Sequence, residues 1–129
     1  MQKYKPTESE LEILNLLWER GPSTVKNIND LLNEKKIVGY TTTLKLMQIM
    51  FDKKMLSRVK VGRSHTYQAI LKKNDTQEAL LEKVLKTAFS GSASKLVMQA
   101  IGRDNTTQKE IDEIKKYLEM LENGENGIK

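Results

Sequence analysis

Thr41, Thr42, Lys45, Gln48 and Ile49 recur at intervals that gather them on one side of a helix at 100° per residue, while Leu44, Met47, Met50 and Phe51 gather on the other. The first side has the chemistry for reading base edges. Thr and Gln donate and accept hydrogen bonds, Lys45 suits a phosphate or a guanine, and an outward Ile49 or Leu46 suits a thymine methyl group. Thr41 and Thr42 also stand at the expected helix start, where free backbone N–H groups favour a phosphate. Further along, Arg58 and Lys60 share one face of an expected strand and Arg63 sits in a turn, positions from which cations reach phosphates or a narrow minor groove. Out of context the same residues have blander uses: the Thr pair as a helix cap, Lys45 as a solvated charge, and the basic strand as an edge guarded against aggregation.

Other chemistry is hard to assemble. The chain has 129 residues, with 22 Lys+Arg against 17 Asp+Glu, no Cys and one His. Without Cys there is no thiol nucleophile and no thiolate metal site, and His65 has no second His to complete a ligand set. No Gly-rich phosphate loop or Ser-His-Asp spacing is present, and the carboxylates of Glu8/Glu10/Glu12 and Glu110/Asp112/Glu113 read as solvated helix faces. The expectation is a protein that is not an enzyme and needs no cofactor or metal. No apolar run approaches the ~18 residues of a membrane span. Glu8, Glu10, Glu12 and Glu19 interrupt the apolar pattern of the first segment, so no leader is expected, and the reading is cytoplasmic without membrane insertion.

Three helices and a hairpin must position the two clusters. Thr7 and Glu10 have capping-box spacing, and Leu11, Leu14, Leu17 and Trp18 follow at helical period until Gly21-Pro22, predicting a helix over residues 7–20. Ser23 is the expected cap of a second helix bearing Val25, Ile28, Leu31 and Leu32, which ends in the polar stretch 33–39. The third begins at Thr41/Thr42 and runs to about Lys54. The period then changes to two over Leu56–Val61, turns at Gly62-Arg63-Ser64 and returns over His65–Ile70, a β-hairpin with a basic rim. Three helices followed by such a hairpin is the order of a winged helix-turn-helix, whose third helix enters a major groove. The predicted class is mainly α with a small β-hairpin wing.

Charge divides the chain: residues 1–72 carry a net +6 and residues 73–129 a net −1. The first stretch is expected to be the winged-helix DNA-binding domain and the second a helical dimerisation region whose tail, 125–129, frays. After a cap at Asn74 or Asp75, Leu80, Leu81, Val84, Leu85 and Phe89 continue one apolar stripe, a short helix spans 93–101, and Ile111, Ile114, Leu118 and Leu121 form another stripe from the Thr107/Glu110 capping box. A three-helix core cannot bury both stripes, so a second subunit is the economical cover. Dimerisation also suits a reader of two half-sites.

The runs ESELEILNLLW at Glu8–Trp18, YTTTLKLMQIMFDKKMLSR at Tyr40–Arg58, GRSHTYQA at Gly62–Ala69 and GSASKLVMQAIGRDNTTQKEIDEI at Gly91–Ile114 together resemble the penicillinase repressor family of bacterial transcription factors, which includes the methicillin-resistance repressors. The resemblance implies a homodimeric winged-helix repressor on a palindromic operator of double-stranded DNA, controlling a resistance or stress operon. It also implies that Thr41, Thr42 and Lys45 lie on the recognition helix and Arg63 on the wing. A membrane-bound sensor protease is the implied inducing partner, cutting the repressor in its C-terminal region. Members cut in this way carry Asn-Phe at the scissile bond, whereas the matching position here is Gln99-Ala100. Many members also have Arg where Ile49 stands and Gly where Lys54 stands. The competing reading from another class is a non-enzymatic interaction adaptor on the same scaffold, since fold does not fix function.

Overall fold

In the computed structural model, which describes residues 5–124, the first helix α1 spans Glu8–Arg20. Its start is the expected capping box: the Thr7 hydroxyl accepts from the Glu10 N–H at 3.2 Å and the Glu10 carboxylate accepts from the Thr7 N–H at 2.9 Å. Gly21, at φ 84°, ends the helix. A two-residue strand β1, Ser23–Thr24, follows before helix α2, Val25–Leu32. The cap of α2 is Thr24, accepting from the Asn27 N–H at 3.1 Å, and not Ser23 as expected. Ser23 is instead paired with Tyr67 in the sheet, and its hydroxyl donates to the Gly21 carbonyl at 2.9 Å.

Helix α3 spans Tyr40–Asp52, and strands β2, Leu56–Val61, and β3, Ser64–Ala69, form the hairpin. The sheet is antiparallel in the order β1-β3-β2. The wing is thus a hairpin on which β1 adds a third strand. Leu14, Leu17, Ile28, Met47, Met50, Met55, Leu56 and Tyr67 lie at the centre of a core shared by the three helices and the sheet. Leu46, expected outward as an alternative to Ile49, packs against this core. The fold class is the mainly α winged helix that the element order predicted.

One parity differs from expectation. On β2 the core-facing residues are Leu56, Arg58 and Lys60, while Val59 and Val61 are 66% and 61% exposed. Register explains it: Leu56 is buried and opposite Ala69, and Arg58 is opposite the buried Tyr67, so the even-numbered positions face inward and the valines cannot.

Helix α3 ends in a Schellman motif. The Lys54 N–H donates to Phe51 O at 3.0 Å and the Met55 N–H to Met50 O at 2.9 Å, which forces Lys54 to φ 66°. Left-handed backbone costs an L-residue about 1 kcal/mol that glycine does not incur. Lys54→Gly is therefore expected to stabilise the protein by about that amount, read as a higher urea midpoint at unchanged m-value. An unchanged midpoint would mean that the Lys54 side chain repays the strain.

Glu10 is a buried carboxylate, 1% exposed. Burial alone raises its pKa, but the Thr7 N–H, the Lys53 ammonium at 3.0 Å and the Thr7 hydroxyl together hold it below its ordinary value of 4.5. A depressed folded pKa stabilises the fold above the unfolded carboxyl pKa, and that contribution is lost as pH falls through the folded value. Glu10→Gln keeps a cap acceptor and removes the charge. Its deficit against the parent is expected to be about 1–2 kcal/mol at pH 7 and to shrink on acidification below the ordinary carboxyl range. Urea titrations of both proteins at the two pH values measure this, and a constant deficit would show that ionisation contributes nothing.

The remaining helices are α4, Lys73–Ala88, α5, Ala93–Ile101, and α6, Gln108–Glu122. Ser92 caps α5, and the expected Thr107/Glu110 capping box opens α6. Two compact units divide between Leu81 and Glu82, within α4. No helix among the described residues is long and apolar enough to cross a membrane. The tail expected to fray, 125–129, lies outside the described residues.

Candidate nucleic-acid interface

Thr41, Thr42, Lys45, Gln48 and Ile49 are all exposed along α3, because Thr43, Met47 and Met50 are buried on its other side. Thr43 fits that inner side through a hydrogen bond. Asn29 of α2, itself buried, donates through Nδ2 to the Thr43 hydroxyl at 2.8 Å and to the Val38 carbonyl at 3.1 Å. Asn33 holds the same turn from below, donating to Val38 O at 2.9 Å and accepting from the Val38 N–H at 3.1 Å. The angle between α2 and α3 is thereby set by an amide network as well as by packing.

The expected start of the third helix at Thr41/Thr42 is corrected to Tyr40, with Gly39 as the N-cap and no side-chain cap bond. The Thr pair is not a cap. Both hydroxyls lie in the exposed first turn, beside backbone N–H groups that no side chain satisfies, which is where a phosphate oxygen is favoured.

In the wing, Gly62 at φ 63° is the first central residue of the two-residue turn and Arg63, exposed, is the second. Positive φ at the first position alone is the type II′ pattern, whose twist matches the flanking strands. Lys60 is exposed opposite His65. Arg58 does share the face of Lys60, but its guanidinium is already engaged: it lies 3.9 Å from the centroid of the Phe51 ring, and Nη1 donates to the Tyr67 hydroxyl at 3.4 Å.

Between α3 and the hairpin lies a cleft of about 360 Å³ whose lining includes Lys26, Tyr40, Gln48, Arg63, Ser64 and His65. It unites Gln48 and Arg63 from the two expected clusters. Thr41, Thr42, Lys45 and Ile49 lie along the exposed helix face outside it, and Lys60 lies on the strand behind it. Lys26 and Tyr40 were not anticipated. Both had a signal, since Lys26 falls on the polar side of the second helix's stripe and Tyr40 directly precedes the Thr pair. His65 in the cleft fits its reading as a phosphate-facing polar residue, flanked there by two cations.

The second unit carries a different surface. An apolar groove of about 590 Å³ is lined from α5 by Leu96, Val97, Ala100 and Ile101, and from α6 by Ile114, Tyr117, Leu118 and Leu121, with Glu110 and Glu113 at its rim. Of the expected contact residues, Ile114, Leu118 and Leu121 come together here. Ile111 is half-buried outside the lining, Val84 is exposed and Leu85 half-buried on α4, and Phe89 lines a separate cleft with Lys95, Met98 and Gln99. Leu81 falls in the first unit. The α5 contribution was missed, although Leu96, Val97, Ala100 and Ile101 have helical spacing. Gln99 and Ala100 are exposed within α5.

Comparison with known proteins yields a family model described as penicillinase repressor, matching residues 6–120. The methicillin resistance regulatory protein MecI of Staphylococcus aureus (strain N315) is 20% identical over 115 residues, covering 89% of this chain and 94% of that one. The transcriptional regulator BlaI of Mycobacterium tuberculosis (strain H37Rv) is 25% identical over 117 residues, covering 89% and 83%. A penicillinase repressor of Staphylococcus aureus is 21% identical over 110 residues, covering 85% and 87%.

Proposed function

The chain belongs to the penicillinase repressor family, and from that membership we propose that it is a sequence-specific DNA-binding transcriptional repressor, acting as a homodimer on a palindromic operator. The observation that carries this reading is the exposed face of α3, with Thr41, Thr42, Lys45, Gln48 and Ile49, set beside the basic tip of the wing. Thr41, Thr42, Gln48 and Ile49 meet base edges or the adjoining phosphates, Lys45 meets a guanine or a phosphate, and Lys60 and Arg63 meet the backbone flanking the groove. Winged-helix residues up to about 72 bind DNA, and the helices after them bring two copies together through the apolar groove of α5 and α6. The regulated genes are a resistance or stress operon. Release comes by a cut in the C-terminal region, with a membrane-bound sensor protease as the partner and the Gln99-Ala100 stretch as the place.

Fluorescence anisotropy against the DNA upstream of the protein's own gene and against a scrambled duplex, at about 50 and 200 mM salt, tests the reading. Upstream DNA is expected to bind about a thousandfold more tightly. Lys45→Ala and Arg63→Ala weaken it, and each lost phosphate contact makes the slope of log affinity against log salt shallower by about one. Equal binding of both duplexes with equal salt release would make the basic face a mere electrostatic surface and favour the adaptor reading.

A further inference from the structure

Of the wing cations expected to meet phosphate, Lys60 and Arg63 are exposed, but Arg58 is half-buried and already has two partners. Its guanidinium stacks over Phe51 in the last turn of α3, at a separation well inside cation–π range. Its Nη1 donates to the hydroxyl of Tyr67, a residue 1% exposed that is paired in register with Arg58 on one side and with Ser23 on the other. Arg58 therefore joins the end of the recognition helix to the middle of the sheet. Tyr67 also lines the cleft between α3 and the wing, together with Gln48 and Arg63.

We propose that Arg58 is a positioning residue for operator recognition, a strut that fixes the wing against the recognition helix through Phe51 and Tyr67, and that it is not a phosphate contact. The proposal rests on the DNA-binding reading above. Leverage gives the strut its effect: the wing tip lies roughly 13 Å beyond Arg58 at about 3.3 Å per strand residue, so rocking by about 10° there moves Arg63 by about 2 Å. A displacement of that size breaks a phosphate hydrogen bond made by Arg63 while α3 stays in register. Specific binding, which needs helix and wing placed together, falls; non-specific binding, which needs only the charges, falls little.

Phe51 provides a test that changes no charge. The variants Arg58→Ala, Arg58→Lys, Phe51→Leu and Arg58→Ala/Phe51→Leu are compared with the parent by anisotropy on upstream and scrambled DNA across a salt series, well below the melting temperature of each as followed by circular dichroism. If Arg58 is a strut, Phe51→Leu and Arg58→Ala each lower the ratio of specific to non-specific affinity by about fivefold to twentyfold, and the double variant falls no further than the worse single. Arg58→Lys, which keeps the charge without the planar stacking fork, behaves closer to Arg58→Ala than to the parent. The salt slope stays at its parental value in all of them. A slope shallower by about one in Arg58→Ala, recovery in Arg58→Lys and an unaffected Phe51→Leu would together overturn the strut and make Arg58 a phosphate contact. Failure of the repressor reading looks different, because the parent protein itself then shows no preference for upstream DNA.

Discussion

Ile114→Asp and Leu118→Lys are each expected to leave a folded monomer whose operator affinity is lower by a factor of a hundred or more. Both residues line the apolar groove of α5 and α6, where Leu118 is 52% exposed and Ile114 half-buried. A charge placed in a surface that a second copy covers must lose its water on association, and a buried ion without a partner costs several kcal/mol. In the isolated subunit the same charge stays largely hydrated, so the fold is spared. On DNA the loss is multiplied, since two linked half-site contacts exceed either alone by about 10²–10⁴. Sedimentation velocity gives the assembly state, circular dichroism the helix content and anisotropy the affinity. Dimers that persist in both variants would put the subunit contact elsewhere, on the exposed side of α4 or in the cleft around Phe89.

Asn29→Leu is the substitution expected to harm the fold most for its size. It removes the donor that serves both the Thr43 hydroxyl and the Val38 carbonyl. The Val38 carbonyl keeps Asn33 as a donor, but the Thr43 oxygen, on a residue 1% exposed, is left against an apolar side chain. A polar group stranded in this way costs about 1–3 kcal/mol, and the lost amide bonds tilt α3 relative to α2. Thr43→Val added to Asn29→Leu removes the stranded hydroxyl, and replacing both partners by apolar groups comes much closer to neutral. Urea unfolding of the two singles and the double measures the coupling. Simple addition of the two single effects would show that the network contributes no more than its parts.

Local signals carried much of the molecule into view before any coordinates. Thr7 with Glu10 and Thr107 with Glu110 mark two helix starts within a residue, because a capping box is a contact between near neighbours. The two sides of α3 were legible for a similar reason, since Met47 and Met50 repeat at the helical period. What depends on distant partners was not. Strand β1 has two residues and no period of its own; it exists because Tyr67 and Thr66 offer it a partner. The valines of β2 suggested an inward row, but β-propensity does not choose a face, and the pairing of Leu56 with Ala69 turned that row to solvent. Arg58 likewise carries no mark in the sequence of the ring it stacks on. The groove of the second unit was half visible, because the stripe on α6 is long and regular while the apolar residues of α5 occupy a helix of only nine residues.

That short helix has a bearing on time. The Gln99-Ala100 bond lies in its interior, where peptide groups are paired within the helix, whereas a protease takes its substrate extended. The bond is thus exposed to solvent yet withheld from cleavage until α5 unwinds. A nine-residue helix is marginal by itself, since nucleation is costly and little is gained per turn, so its persistence rests on what packs against Leu96, Val97 and Ile101. Whatever covers that face acts as a clock on the chain's survival: the rate of cutting is the fraction of time spent open multiplied by the rate at which the open form is cut. A chain with that face covered is long-lived and one with it bare is short-lived, so abundance and assembly are coupled through the lifetime of a single turn of helix.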